Sequence, residues 1–276
     1  MQHYPGVMRR KSLKLNAFIL TVAGFIVKLL GFFYRIFIAN SIGAEGMGLY
    51  QLVLPVYNLI LLGLTAGIGV AVSRLVAEET ARGNHKNARR IAVFSGVLVF
   101  IAGTVIVSIL LLNLDFTVKV LVGDARTRTA LFFLLPAIPF IAAFTSLKGY
   151  FYGKQEMIPN AISQVAEQVT KLAVVYLIAD IFIKGDLGQK CLFATIGLIV
   201  GEIANVLTVF IAYRIRKSEK SPAAQRIMRK RDIAQALLKI SLPITTNRLV
   251  LSLLGTVEFL WIPQRLAVYG LSSEEA

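Results

Sequence analysis

The sequence has little of what soluble proteins use to build sites. It has a single cysteine, Cys191, so no intrachain disulfide can staple it. It has only two histidines, His3 and His85, far apart and with no cysteine or carboxylate cluster at ligand spacing, so no metal site is expected. Charged residues make up only 16% of the chain, well below the roughly one quarter of an ordinary soluble domain. Acidic residues are scarcest, 15 against 30 Lys and Arg. No nucleophile elbow, no paired-carboxylate motif and no nucleotide-binding motif is present. The Gly-rich stretch Gly43–Gly48 lacks the lysine of a phosphate-binding loop and reads as a connection between spans. Neither an enzyme nor a bound cofactor is called for, and any transport would draw on a gradient rather than on hydrolysis in this chain.

Apolar sequence is what the chain does have. It is 56% hydrophobic with a mean hydropathy of +0.70. The apolar residues come in blocks of about 20 or more, enough to cross a hydrocarbon layer roughly 30 Å thick. Seven such blocks are expected as helices, over 15–38, 49–72, 91–112, 130–152, 160–183, 191–213 and 236–262. The fold class is therefore all-α, a polytopic membrane helix bundle of about seven spans. The first block is too long for the apolar part of a signal peptide. Pro136 and Pro139 are expected to kink the fourth helix.

The net charge of +15 could suggest nucleic acid, but its placement argues against that. The basic residues gather between the apolar blocks, where they meet anionic lipid headgroups. On one side of the predicted bundle lie 19 of the 30 Lys and Arg: the tail 1–14, the loop Arg74–Arg90, Lys148 with Lys154, and the linker Arg214–Arg231. The opposite side holds six, and Lys28, Arg35, Lys171, Lys239 and Arg248 fall inside spans. The basic side is expected in the cytoplasm, with the N-terminus. The chain thus divides into a basic cytoplasmic tail (1–14), a six-helix lobe (15–213), a basic linker (214–235) and the seventh helix (236–276).

Polar residues inside spans carry the functional signal, because an ionisable group at bilayer depth costs a few kcal/mol or more and turns to a cavity or a partner. Thr21, Gly24, Lys28, Gly31 and Arg35 share one face of the first helix. Gln51, Asn58 and Thr65 recur every seven residues in the second. Asn160, Gln164, Glu167 and Lys171 share a face of the fifth, with Glu167 and Lys171 able to neutralise each other at i, i+4. Thr245, Arg248, Ser252, Gly255 and Glu258 share a face of the seventh. Small residues such as Gly63 and Gly67 point to close helix packing. Each stripe has a plain structural reading, as packing surface, internal ion pair or headgroup anchor. Together they predict a shared wet cavity lined by Lys28, Arg35, Asn58, Gln164, Glu167, Lys171 and Arg248. With its cations in excess, that cavity suits an anionic cargo such as a phosphate or pyrophosphate.

Several stretches carry a family resemblance. KLLGFFYRIFIANSIGAEGMGLYQLVLPVY (Lys28–Tyr57), SRLVAEETARGNHKNARRI (Ser73–Ile91), GYFYGKQEMIPNAISQVAEQVTK (Gly149–Lys171), SLPITTNRL (Ser241–Leu249) and IPQRLAVYGLS (Ile262–Ser272) resemble the stage V sporulation protein B family of polysaccharide exporters. That family lies in the multidrug/oligosaccharidyl-lipid/polysaccharide (MOP) exporter superfamily. The resemblance implies two six-helix lobes about a central cavity, of which this chain holds the first lobe and the first helix of the second. It implies alternating access, an undecaprenyl-pyrophosphate-linked oligosaccharide as cargo, a peptidoglycan precursor foremost, and a bacterial inner membrane. It places Lys28 and Arg35 on the segment whose basic residues are implicated in holding the pyrophosphate in lipid II flippases. Where those flippases carry an arginine in the second helix, this sequence has Tyr57 and Asn58 near Leu54 and Pro55. Two other readings stay open: an organic-cation antiporter, which requires an unpaired Glu167, and a membrane scaffold partnering cell-wall synthases.

Overall fold

The computed structural model describes residues 6–182, 185–216 and 227–268; side chains are described from Leu15 as far as Leu254, except Leu253 and the residues between those segments. Within them the chain is a helical membrane bundle. Eight α-helices run in order: α1 (Gly6–Ala81), α2 (His85–Leu112), α3 (Leu114–Thr117), α4 (Arg128–Leu134), α5 (Ala137–Gly153), α6 (Ile158–Phe182), α7 (Leu187–Ile215) and α8 (Lys230–Val268). Among the described residues helix occupies all seven expected blocks, interrupted only by a turn at 135–136 in the fourth. The stretch Leu15–Ala81, α2 and α7 are long and apolar enough to cross a bilayer, and a bent pair, Ala125–Leu134 with Ala137–Gly153, meets the same test as one broken span. α6 and α8 have the length, but polar and charged residues interrupt their apolar sequence.

The connection expected at 40–48 is a correction. Helix continues through it, and the first two spans are arms of one 76-residue element broken at a single residue. Only Gly43 departs, at φ 73° and ψ 179°, a region open essentially to glycine alone. Ala44, Glu45 and Met47 are good helix formers, so the second arm starts at once. Gly43→Ala should therefore cost about 1–3 kcal/mol, checked by thermal unfolding in detergent, although a Cβ there would meet no neighbour.

Two other boundaries reflect local chemistry. α2 begins at His85, ahead of its apolar block, because the Asn84 side chain accepts from the Asn87 backbone N–H at 3.2 Å and caps the helix. The expected proline kink falls between α4 and α5, at a 43° bend beside Pro136. Proline has no N–H to give, and the Ile138 N–H bonds Leu135 instead, in a tighter turn. Between α3 and α4, Arg128 bonds Asp115 at 2.6 Å and Arg126 bonds Asp124 at 2.6 Å. The bonds from Arg126 hold the Asp124 carboxyl below the usual carboxylate range.

α1 runs through the middle of the bundle and packs against α2, α5, α6, α7 and α8, while α2 pairs with α5 and α6 with α7. Ile38, Val53, Val72, Ile91, Leu131, Leu134 and Phe193 are fully buried between them. Facing outward are Phe18, Phe25, Ile101, Ile109, Leu177 and Ile181, all exposed. Apolar surface on this scale has no place in water and belongs against lipid. α8 lies on the second arm of α1, with the Thr245 hydroxyl accepting from the Gly67 N–H at 3.1 Å.

A cationic hollow between the arms of the first helix and α6

The two arms of α1 diverge from Gly43, and α6 closes the space beside them. The result is a hollow of about 420 Å³, open on one side. From the first arm come Lys28, Gly31, Phe32, Tyr34, Arg35 and Ile38, from the second arm Met47, Tyr50, Gln51 and Leu54, and from α6 Gln168 and Lys171. Seven residues separate Lys28 from Arg35, which puts both on one face, about 10 Å apart along the axis. Both are exposed at the open side, whereas Lys171 is buried.

Lys171 sits at the back of the hollow because α7 leaves room for it. A Cβ at Gly201 would come within 2.9 Å of Lys171 Cε, and one at Gly197 would run into Val175. These two glycines, four apart, let α6 and α7 approach closely. The Lys171 ammonium donates to Glu167 Oε1 at 3.1 Å and lies 5.6 Å from the centre of the Tyr34 ring. Glu167 Oε2 accepts from Asn205 Nδ2 at 2.7 Å. Beside this cluster, the Tyr57 hydroxyl donates to Glu202 Oε1 at 3.3 Å. The Tyr34 hydroxyl donates to the Ala194 carbonyl at 3.1 Å, fixing that ring in the cavity wall. A carboxylate bonded on both oxygens neutralises Lys171 in place. Among the described residues that line the cavity there is no carboxylate beside Lys28 and Arg35, so the lining carries an excess of positive charge.

Of the seven expected cavity residues, Lys28, Arg35 and Lys171 therefore line one hollow. Glu167 stands behind it and holds Lys171. Gln164, half-buried one turn before Gln168, does not reach the lining, and neither does Asn58, two turns beyond Gln51 and exposed. Arg248 is exposed on α8, apart from the hollow. Of the face on the seventh helix, Gly255 and Glu258 fall among side chains outside the described residues. The sequence reading passed over Tyr34, Tyr50, Gln168, Glu202 and Asn205. Glu202 and Asn205 gave a usable signal, two polar residues three apart in an apolar helix. The aromatic residues gave none.

The fold is similar to that of solved MOP-superfamily transporters. A Vibrio cholerae MATE transporter superposes with a TM-score of 0.74 at 16% identity, over 95% of this chain and 58% of that one. A MOP-superfamily transporter from Pyrococcus furiosus superposes with a TM-score of 0.69 at 19% identity, over 86% and 53%. The sequence then fixes the family: residues 13–267 match the polysaccharide biosynthesis protein family, and the chain belongs to it. Stage V sporulation protein B of Bacillus subtilis (strain 168) is 32% identical over 271 residues, 98% of this chain and 52% of that protein. The lipid II flippase MurJ of the same organism is 26% identical over 214 residues, 73% of this chain and 39% of that protein. The chain thus spans about half the length, or less, of these relatives.

Proposed function

We propose that this chain forms a cargo-binding lobe of a flippase that moves a lipid-linked oligosaccharide across the bacterial cell membrane. The observation that carries the reading is the hollow in which Lys28, Arg35 and Lys171 meet. The favoured cargo is an undecaprenyl-pyrophosphate-linked peptidoglycan precursor of the lipid II type. Its pyrophosphate offers two negative charges to the two cations that have no carboxylate beside them. Gln51 and Gln168 offer neutral hydrogen bonds beside the charged pair, suited to the sugar. The polyprenyl tail stays in the bilayer while the headgroup crosses. The basic side of the bundle faces the cytoplasm and meets anionic lipids there, and the remainder of the transporter closes the opposite wall and rocks against this lobe in alternating access. Names among the relatives support this reading, one being a flippase for lipid II. The organic-cation antiporter reading requires a free carboxylate, whereas Glu167 is held by Lys171 and Asn205.

The test is binding. The chain in lipid nanodiscs is titrated with an undecaprenyl-pyrophosphate-linked disaccharide and with the matching neutral prenyl alcohol. Preference for the pyrophosphate is expected. Lys28→Ala and Arg35→Ala should each weaken it by about tenfold or more, the loss of one charge-assisted contact. Equal affinity for both lipids, or binding indifferent to both substitutions, overturns the assignment.

A further inference from the structure

Three cations line the hollow among the described residues, but they are not equivalent. Lys28 and Arg35 stand exposed at its open side. Lys171 is buried at the back, its ammonium bonded to Glu167 Oε1 at 3.1 Å. Glu167 is held in turn by two amides. Its Oε1 also accepts from Gln168 Nε2 at 3.4 Å, and its Oε2 accepts from Asn205 Nδ2 at 2.7 Å. Asn205 is itself buried in α7. A carboxylate that takes three hydrogen bonds, one of them from an ammonium, is a fixed negative charge behind the wall. Further back, Glu202 takes a hydrogen bond from Tyr57, and Lys148 of α5 acts on it through space. The polar cluster behind the hollow thus sets two acids against two lysines, which leaves Lys28 and Arg35 as the excess.

We propose that Glu167 sets how many negative charges the hollow accepts, and that with Glu167 in place the number is two. This rests on the cationic cavity described above and adds its charge selectivity. Glu167 touches no cargo; it acts through Lys171. An ammonium paired with a carboxylate has no net charge, so its attraction for an anion in the hollow is largely cancelled. A phosphate diester, with one charge, leaves one of the two remaining cations without a partner. A triphosphate diester brings a third charge that must leave water and meets no third cation. Discrimination comes from both mismatches, and a pyrophosphate diester meets neither. Removing the charge of Glu167 while keeping its shape makes Lys171 the third cation, and the match moves to the triphosphate.

The experiment uses the full chain in nanodiscs at one pH and one salt concentration. The probes are a dialkyl phosphate, the corresponding dialkyl pyrophosphate and the corresponding dialkyl triphosphate, which carry one, two and three charges. Wild type should bind the pyrophosphate about tenfold more tightly than the phosphate, with no further gain for the triphosphate. Glu167→Gln, which keeps an acceptor for Asn205, should raise triphosphate affinity by about tenfold and phosphate affinity far less. Lys171→Met uncovers the charge of Glu167 and should weaken the pyrophosphate by about tenfold. Adding Glu167→Gln to Lys171→Met should reverse most of that loss. The ratio between probes separates charge from damage, because a distorted site weakens all three alike. An unchanged ratio in Glu167→Gln, or a double variant that binds no better than Lys171→Met, overturns this inference alone. Wild-type binding that is indifferent to probe charge, or to Lys28→Ala and Arg35→Ala, overturns the cavity reading and this inference with it.

Discussion

Gly67→Leu is expected to detach α8 from the bundle. Gly67 faces α8 where the two backbones come closest, and a Cβ there would run into the carbonyl oxygen of Ser241 and come within 2.6 Å of Thr245 Oγ1. The first obstacle is main chain, in the middle of a helix, and cannot swing aside as a long side chain would. The substitution also displaces the hydroxyl that accepts from the Gly67 N–H. Overpacking a tight contact costs about 1–3 kcal/mol even where side chains can adjust, and here the upper end or beyond is expected. Limited proteolysis at the 214–235 linker and thermal unfolding are the readouts. Gly63→Leu, one turn away where a Cβ meets nothing within 4 Å, is the control. Equal behaviour of the two variants would show that the α1–α8 contact does not depend on close backbone approach.

The double variant Lys28→Glu/Arg35→Glu should do the reverse, leaving the fold intact and abolishing anion binding. Both side chains stand exposed at the open side of the hollow, so their replacement removes no packing, and exposed charges contribute little to stability. For an anion in the hollow, however, two attractions become two repulsions. One pair of unit charges at about 4 Å is worth roughly 4 kcal/mol near a protein surface. Reversing two such interactions takes pyrophosphate affinity below detection in the nanodisc titration. An unfolding temperature close to wild type is expected alongside. Retained pyrophosphate binding would place the anion elsewhere in the molecule.

These contrasting effects show what was legible in the sequence. The pairing of Lys28 with Arg35 could be read directly, since seven residues make two turns and a charge inside an apolar block needs a reason. Glu167 with Lys171 could be read in the same way, and they do bond. The extent of the hollow could not. Gln51 and Asn58 share a face, but about 10 Å of rise separates them, and the hollow ends before the second. Arg248 belongs to an equally good stripe on α8, yet which neighbour a stripe meets is a matter of tertiary packing. Tyr34 and Tyr50 resemble any aromatic residue in a membrane helix until α6 and α7 are set beside them. Helix ends at the bilayer surface were also hidden, because hydropathy reports the lipid-facing part of a helix and not the capped turns beyond it, as at His85–Arg90.

The bend at Gly43 has a mechanical consequence. Residues on both of its arms line the hollow, and the two helical arms are joined through a single non-helical amino acid. The angle between the two arms beside the hollow is consequently set by one pair of backbone torsions. Tilting either limb by a few degrees about that pivot changes the aperture at Lys28, some 20 Å away along the rod, by ångströms. A lever of this kind converts a small rotation at its pivot into a larger displacement at its far end.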